Sequence, residues 1–178
     1  MLQVSSRGQK STSIHSAEEG KDGVYLYPGS LDAPFNASAY QDPSAQRLNL
    51  CFTPTSEVRS LIEGIDEQII NQLKPRLKEL LGQQADSMTD TMAWYQSPLK
   101  MSRNGYENLR AKINLDGKSA LRRWSSKRQQ QACPLDWSTV SVSPRVWVKQ
   151  IYVLGEECGL ILECPNVHVQ PKQHTCPF

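Results

Sequence analysis

The chain lacks the sequence features that mark membrane-spanning proteins and several classes of enzyme. No apolar run approaches the roughly 20 residues that a helix needs to cross a bilayer, and the first residues lack the charged-then-apolar pattern of a signal peptide. A phosphate-binding loop, a G-x-G-x-x-G fingerprint, a G-x-S-x-G elbow and an H-E-x-x-H motif are all absent. These absences predict an intracellular protein that does not contact membranes, and they disfavour an enzyme.

Histidine and closely spaced cysteine are scarce as well. The three histidines lie near the two ends of the chain, where a preorganised general base is poorly supported. The five cysteines are odd in number and include no C-x-x-C pair, which disfavours a disulfide framework. We expect no cofactor. Four residues near the C-terminus have the ligand types of a zinc site: Cys164, His168, His174 and Cys176. The alternative is a core cysteine followed by a mobile tail.

The chain does contain one concentrated basic segment. Nine of its twenty Lys and Arg residues lie within residues 98–128, where only Glu107 and Asp116 are acidic. This segment therefore carries a charge of +7 in a protein of net charge +2, and the rest of the chain sums to −5. Tyr106 and Trp124 lie within it, and a groove for single-stranded nucleic acid needs cations for phosphates and rings for unstacked bases. The alternative is a solvated basic face that binds nothing.

Composition divides the chain into an arm, one domain and a tail. Residues 1–22 are rich in Ser, Gln, Lys, Glu and Gly and predict a flexible arm, because they cannot bury enough surface to offset their ordering entropy. Residues 23–170 predict a single domain, and residues 171–178 a C-terminal tail. The length of 178 residues leaves little room for a second full domain.

One long helix is predicted between strands. Apolar residues recur every three or four positions over residues 58–81, which places one apolar stripe against a core. Thr53 or Thr55 can supply the N-cap, and Pro75 should kink the helix or divide it in two. A shorter helix or irregular stretch is predicted over residues 88–96.

Most other periodic segments have the period of strands. Leu109, Ala111 and Ile113 alternate with Arg110 and Lys112, so a strand should display both cations on its solvent face. A basic loop or short helix is predicted over residues 118–131. The predicted strands, with a hairpin at Gly155, cover residues 24–27, 47–52, 108–115, 140–143, 145–154, 158–164 and 167–169.

This order of elements predicts the fold class. These seven segments, counted as five or six strands, and one long helix between the second and third indicate a mainly β protein with helices. A small β-barrel of the OB-fold type satisfies the order, and such barrels bind oligonucleotides on a strand face. A two-layer α+β sandwich is the alternative.

The candidate binding residues are cations and rings in and around the basic segment. Arg145, Trp147 and Lys149 alternate along one strand, which would flank an indole with two cations. A core position for Trp147 and ordinary solubility for the cations are the alternatives. The predicted nucleic-acid contacts are Tyr95, Lys100, Arg103, Tyr106, Arg110, Lys112, Lys118, Arg122, Arg123, Trp124, Lys127, Arg128, Arg145, Trp147 and Lys149.

The order of residue types along the chain is similar to the order found in a family of viral proteins. Its parts are Trp94-Tyr95, Ser97-Pro98-Leu99, Tyr106, the run Leu109-Arg110-Ala111-Lys112-Ile113-Asn114, Trp124, Val146-Trp147-Val148, Gly159-Leu160 and residues 167–169. This order resembles single-stranded DNA-binding proteins of large double-stranded DNA viruses. The resemblance covers roughly residues 48–170 and rests on residue types, with no single diagnostic motif.

The resemblance implies an OB-like barrel that coats single-stranded DNA during replication, recombination or repair, at a nuclear or viral replication site. A homo-oligomer or a partner from the replication machinery would fit it. The chain departs from many such proteins because residues 170–178 contain no acid, which puts recruitment of partners through the tail in doubt. The implied DNA contacts are Tyr95, Tyr106, Arg110, Lys112, Arg123, Trp124 and Trp147.

Two other functions remain open from the sequence. A virion or scaffold component could use the basic segment to contact an acidic partner or a packaged genome. RNA could replace DNA as the ligand, because rings and cations serve both polymers.

Overall fold

The computed structural model of the protein describes residues 3–4, 10–14, 23–39, 44–81, 94–132, 134 and 136–172. Over these residues the chain is mainly β with one long helix, which confirms the predicted class. Two short strands fall within the predicted arm, and the last strand continues into the predicted tail. Apart from Ile14 and Lys172, the rest of both predicted segments lies outside the described residues.

The strands differ widely in length. In chain order they are β1 (Gln3–Val4), β2 (Lys10–Ser13), β3 (Val24–Leu26), β4 (Leu31–Asp32), β5 (Arg47–Phe52), β6 (Tyr95–Gln96), β7 (Leu99–Met101), β8 (Glu107–Asn114), β9 (Arg122–Trp124), β10 (Gln130–Gln131), β11 (Val140–Leu154) and β12 (Glu157–Pro171).

These strands join one mixed sheet whose main order is β1-β2-β11-β12-β8-β5. The long central pair β11 and β12 is antiparallel, whereas β12 and β8 run parallel. Short strands extend the sheet, because β3 and β4 pair with β11 and β9 pairs with β12. Within the described residues the sheet ends at β1 and at β5 and does not close, so the predicted barrel is wrong. The two-layer alternative describes this arrangement better.

The central hairpin turns at Gly155, as predicted, where a φ of 59° places the residue in the left-handed region that glycine tolerates. Each arm is one continuous strand, although two were predicted on each side. Pro144 does not interrupt β11, because it lies opposite the connection between β3 and β4 and so removes no ladder hydrogen bond on that side. The register also shifts between Arg145 and Trp147, a local irregularity that bends the pair without ending it.

The long helix forms as predicted and is divided at Pro75. Helix α1 (Ser56–Leu73) begins after Thr55, whose hydroxyl accepts a hydrogen bond from the amide of Val58 at 3.3 Å. A single 3₁₀ turn, Lys74–Arg76, contains the proline, and α2 (Leu77–Leu81) follows. The apolar stripe of both helices is buried in the same cluster as the apolar side of the sheet. The helices therefore pack against one face of the sheet.

Two local predictions are wrong where they can be compared with the structure. Tyr95–Gln96 is a strand paired in parallel with β12, whereas a short helix or an irregular stretch was predicted to reach residue 96; residues 88–93 lie outside the described residues. The predicted basic loop of residues 118–131 contains the hairpin of β9 and β10. These short strands lack an apolar alternation that would predict them. Pairing with neighbouring strands holds them in place instead.

Candidate nucleic-acid interface

The uncovered side of the sheet is polar because each strand alternates. In β8, Leu109, Ala111 and Ile113 are buried in the core, so Arg110 and Lys112 lie on the opposite side. We call this side the polar face. Its members are Tyr25, Arg47, Asn49, Lys100, Arg110, Lys112, Arg122, Trp124, Arg145, Trp147, Lys149, Glu163, Asn166 and His168.

Strand register brings distant parts of the sequence together on this face. Trp147 pairs with Tyr25 on one side and with Glu163 on the other. Glu163 pairs with Lys112, which pairs in turn with Asn49. Paired residues share a face of the sheet, so these five side chains form one row across it. The row joins residues from five strands between positions 25 and 163.

Rings and cations alternate along one edge of the polar face. The rings of Tyr25 and Trp147 stack with centroids 6.1 Å apart and an interplanar angle of 24°. The guanidinium carbon of Arg145 lies 3.8 Å from the Tyr25 centroid and 5.9 Å from the Tyr27 centroid. Nζ of Lys149 lies 5.1 Å from the Trp147 centroid. Cations at these distances are attracted to the ring faces. We call these five residues the aromatic ladder.

Trp147 is fixed within the ladder by close backbone packing. A Cβ added at Gly23 would lie 2.6 Å from the indole Nε1, and the φ of Gly23 is 112°. Only glycine allows the chain to pass so close in that conformation. Nε1 is buried without a hydrogen-bond partner, and the residue as a whole is half-buried. The indole is therefore held in place, and Tyr27, which is 72% exposed, is the freest ring of the ladder.

A buried carboxylate lies among the cations. Glu163 is 1% exposed, and its Oε2 lies 2.6 Å from Nζ of Lys149 and 3.6 Å from a terminal nitrogen of Arg47. Its other oxygen, Oε1, is buried without a hydrogen-bond partner. Strand alternation places two further acids, Glu157 and Asp32, on the same side of the sheet as Glu163. The seven Lys and Arg residues of the polar face still outnumber these three acids, so this side of the sheet has a net positive charge.

A second part of the polar face is formed by β9. Arg122 pairs with Asn166, which pairs with Arg145 on β11. The indole Nε1 of Trp124 donates to Oδ1 of Asn166 at 3.3 Å. Trp124 is half-buried and Arg122 is exposed. Strand β9 therefore extends the polar face on the far side of β12 from the aromatic ladder. Asn166 lies between Arg122 and Arg145, so both cations lie on one continuous surface.

The structure thus brings eight of the predicted contacts onto one face and separates the others. Tyr95 is buried in the core, and its hydroxyl donates to Oδ1 of Asp66 at 2.6 Å. Tyr95 therefore belongs to the core and not to the polar face, because its buried ring has no free face on which a base could stack. Arg123 pairs with the buried Val167, on the opposite side from Arg122, and its guanidinium donates to the carbonyl of Ala132. Arg123 therefore does not lie on the polar face, and its role as a nucleic-acid contact stays a prediction.

The remaining predicted contacts lie in turns outside the polar face as defined. Arg103 and Tyr106 belong to the turn between β7 and β8, where Tyr106 is 70% exposed. Lys118 lies in the exposed turn after β8. Lys127 and Arg128 lie in the turn between β9 and β10, and Arg128 adopts a φ of 57°. Their exposure leaves them accessible, but they do not align with the row across the sheet.

The predicted zinc ligands are only partly described. His174 and Cys176 lie outside the described residues. Cys164 is buried, burial raises the pKa of its thiol to about 12, and Sγ donates to the carbonyl of Asn166 at 3.2 Å. A thiol must lose its proton to bind zinc, and this environment opposes that loss. The described part of the chain contains no group of three or more His, Cys, Asp or Glu residues that could hold a metal ion.

Sequence reasoning missed several members of the interface. Arg47 and Asn49 alternate with Leu48, Leu50 and Phe52, so their face could have been deduced from the same alternation that placed Arg110 and Lys112. Tyr25 and Tyr27 alternate in the same way. Glu163 gave no comparable signal, because it lies in a largely apolar strand and its partners come from β5, β8 and β11.

Comparisons of the chain with protein families, with curated proteins and with solved structures find no match. None of the helices in the described ranges is both long enough and apolar enough to span a membrane. The function is therefore inferred from the interface itself.

Proposed function

We propose that the protein is a non-enzymatic protein that binds single-stranded DNA on its polar face without sequence preference, in replication, recombination or repair. The aromatic ladder is the observation that carries this proposal. It places two stacked rings, one exposed ring and two cations side by side on a surface that continues to Lys112, Arg110 and Arg122. Cations can contact phosphates while rings stack on bases of any type.

The ladder suits an unpaired strand better than a duplex. Rings on a sheet face can stack only on bases that are free of their own partners, and duplex bases are already stacked. Each base stacked on an aromatic ring is worth about 1–3 kcal/mol, and this contribution depends little on which base it is. DNA is preferred to RNA by the viral resemblance, which also suggests a nuclear or viral replication site.

A fluorescence titration tests the proposal. Trp94 and Trp137 are buried, whereas Trp124 and Trp147 are half-buried on the polar face. An oligothymidine strand should therefore quench part of the tryptophan emission, and Trp147→Phe should reduce the quenching while retaining a ring. The logarithm of the binding constant should fall with the logarithm of salt concentration, with a slope of about −0.7 for each phosphate neutralised. A duplex of equal length should bind more weakly.

Two tyrosines provide a matched pair of variants. Tyr27 and Tyr106 are 72% and 70% exposed, but only Tyr27 belongs to the ladder. We expect Tyr27→Ala to weaken strand binding by about 1–3 kcal/mol and Tyr106→Ala to leave it nearly unchanged. RNA oligomers test the choice of polymer in the same assay. Absence of binding at low salt, or equal affinity for duplex and single strand, would overturn the proposal.

A further inference from the structure

A cavity of about 240 Å³ opens on the polar face beside β7, β8 and β12. No residue of the aromatic ladder lines it, and its walls include three cationic side chains, those of Lys100, Arg110 and Lys112. Gln96, Tyr152 and Ile161 also line it. It therefore combines positive charge, neutral polar groups and an apolar wall in one concave site.

The three cations are not neutralised by the described protein. No described carboxylate lies within 4.0 Å of their nitrogens, whereas Lys149 and Arg47 both contact Glu163. Lys112 is flanked by Arg47 and Arg110. A protein rarely brings like charges together at partly buried positions unless an anion offsets their repulsion.

The two lysines show the effect of this crowding. Burial lowers the pKa of Lys112, and the charges of Arg47 and Arg110 lower it further. Burial and Arg110 also lower the pKa of Lys100, against a smaller opposing effect from Glu157 and Asp66. An anion bound among the three side chains would stabilise the charged form of both lysines.

The uncharged residues that line the cavity indicate which part of a ligand could lie beside its anionic group. Nζ of Lys100 donates to Oε1 of Gln96 at 2.5 Å, which orients both groups at the rim. A Cβ at Gly159 would lie 2.9 Å from a ring carbon of Tyr152, so glycine at this position lets the tyrosine ring pack closely against the sheet. The ring and Ile161 provide an apolar surface next to the cations, on which a sugar or the edge of a base could rest.

The size of the cavity limits the ligand. Its volume equals that of about eight water molecules at roughly 30 Å³ each, and it is smaller than the roughly 300–1,000 Å³ typical of sites for drug-sized ligands. A phosphate with part of its attached sugar would fill it. A doubly charged phosphate monoester also suits a site with three cations better than the singly charged diester of a strand interior.

We propose that this cavity binds a phosphate monoester. The ligand could be a free nucleotide or the phosphorylated end of a strand, because both present the same dianionic group. Arg110 and Lys112 line the cavity and also belong to the surface proposed to bind strands. The free monophosphate tests the cavity by itself, because its binding requires no strand.

Calorimetric titration of the full chain tests the site with three probes: inorganic phosphate, a nucleoside 5′-monophosphate and the matching nucleoside. We expect the monophosphate to bind and the nucleoside not to bind. Arg110→Gln and Lys112→Gln should each weaken monophosphate binding by about tenfold, a loss expected for a charge-assisted contact. The matched control is Arg122→Gln, which removes a cation from the same face outside the cavity and should change the affinity by less than about twofold.

Two oligonucleotides that differ only in a 5′ phosphate identify the source of the ligand. If the 5′ phosphate tightens strand binding and Lys112→Gln removes this difference between the two oligonucleotides, the cavity binds strand ends. Binding of the free monophosphate alone assigns the cavity to nucleotides. Thermal unfolding should show that each variant is folded. The site is disproved if the monophosphate does not bind and the 5′ phosphate does not tighten strand binding, or if Arg122→Gln weakens monophosphate binding as much as Lys112→Gln does. Failure of unphosphorylated strands to bind would disprove only the strand-binding function.

Discussion

Nζ of Lys149 lies 2.6 Å from Oε2 of Glu163, a carboxylate that is 1% exposed. Arg47 approaches the same oxygen at 3.6 Å from the other side of the residue row. The carboxylate therefore holds two cations of the polar face, from β5 and β11, at a fixed separation. It also reduces the charge that this face presents to a polyanion.

Replacement of Glu163 by Gln should separate these two roles. The amide keeps the shape of the side chain but loses its charge, so the free energy of unfolding should fall by about 1–3 kcal/mol, because the hydrogen bond from Lys149 weakens and the ion pair with Arg47 is lost. The affinity for single-stranded DNA at low salt should rise, because Lys149 is released and the face gains one net positive charge. Urea unfolding and strand titration measure the two effects.

The matched control is Glu156→Gln, which changes the net charge equally at an exposed position in the β11–β12 turn. It should alter neither the stability nor the salt slope appreciably. Equal gains in affinity for both variants would show that net charge alone is responsible, and that the position of Glu163 in the polar face has no special effect.

Tyr95→Phe should affect stability and not binding. The hydroxyl of Tyr95 donates to the largely buried Asp66, whose other oxygen accepts from Ser97. Loss of a hydrogen bond to a charged group costs about 1.5–3 kcal/mol. Unfolding in urea should show this loss, while the strand affinity remains that of the unchanged protein. Tyr27→Phe is the control, because its hydroxyl is at the exposed end of the ladder. Weaker strand binding by a Tyr95→Phe protein of unchanged stability would show that Tyr95 contributes to the interface.

Asp66 should make stability depend on pH in a defined direction. Burial raises its pKa above the ordinary value of 3.8, although Ser97 and Tyr95 oppose the shift. The folded state therefore holds this proton more tightly than the unfolded state, so the associated stability is present below pH 3.8 and is lost as the pH rises through the raised pKa. The difference in unfolding free energy between the protein and Asp66→Asn should decrease over this window. A difference that stays constant or increases with pH would contradict the assignment.

The sequence predicts those parts of the structure that depend on local pattern. The alternation around Arg110 and Lys112 correctly predicts a strand with a buried and a polar side, and Pro75 correctly predicts the division of the helix. Both signals arise within a few residues, since side-chain direction in strands and the proline ring act locally.

The parts that sequence reasoning missed depend on contacts between distant segments. Tyr95 was expected to bind DNA, but its role is set by Asp66, which lies 29 residues earlier in the chain. Glu163 meets Lys112 only through the parallel pairing of β12 with β8. Closure of a barrel likewise depends on which strands form the edges, and no local pattern specifies that.

Arg122 and Arg123 provide the sharpest test of which side of the sheet binds DNA. They are adjacent in β9 and carry the same charge, but Arg122 pairs with Asn166 on the polar face and Arg123 pairs with the buried Val167. Arg122→Ala should weaken strand binding and reduce the magnitude of the salt slope by about 0.7, because one phosphate contact is lost. Arg123→Ala should leave the slope unchanged and lower stability instead, because its guanidinium bonds the carbonyl of Ala132 beyond β10. Strand titrations at several salt concentrations, with urea unfolding of both variants, separate these outcomes. If Arg123→Ala reduces the slope as much as Arg122→Ala, the strand cannot lie on the polar face alone, and the interface must extend around the β9–β10 hairpin.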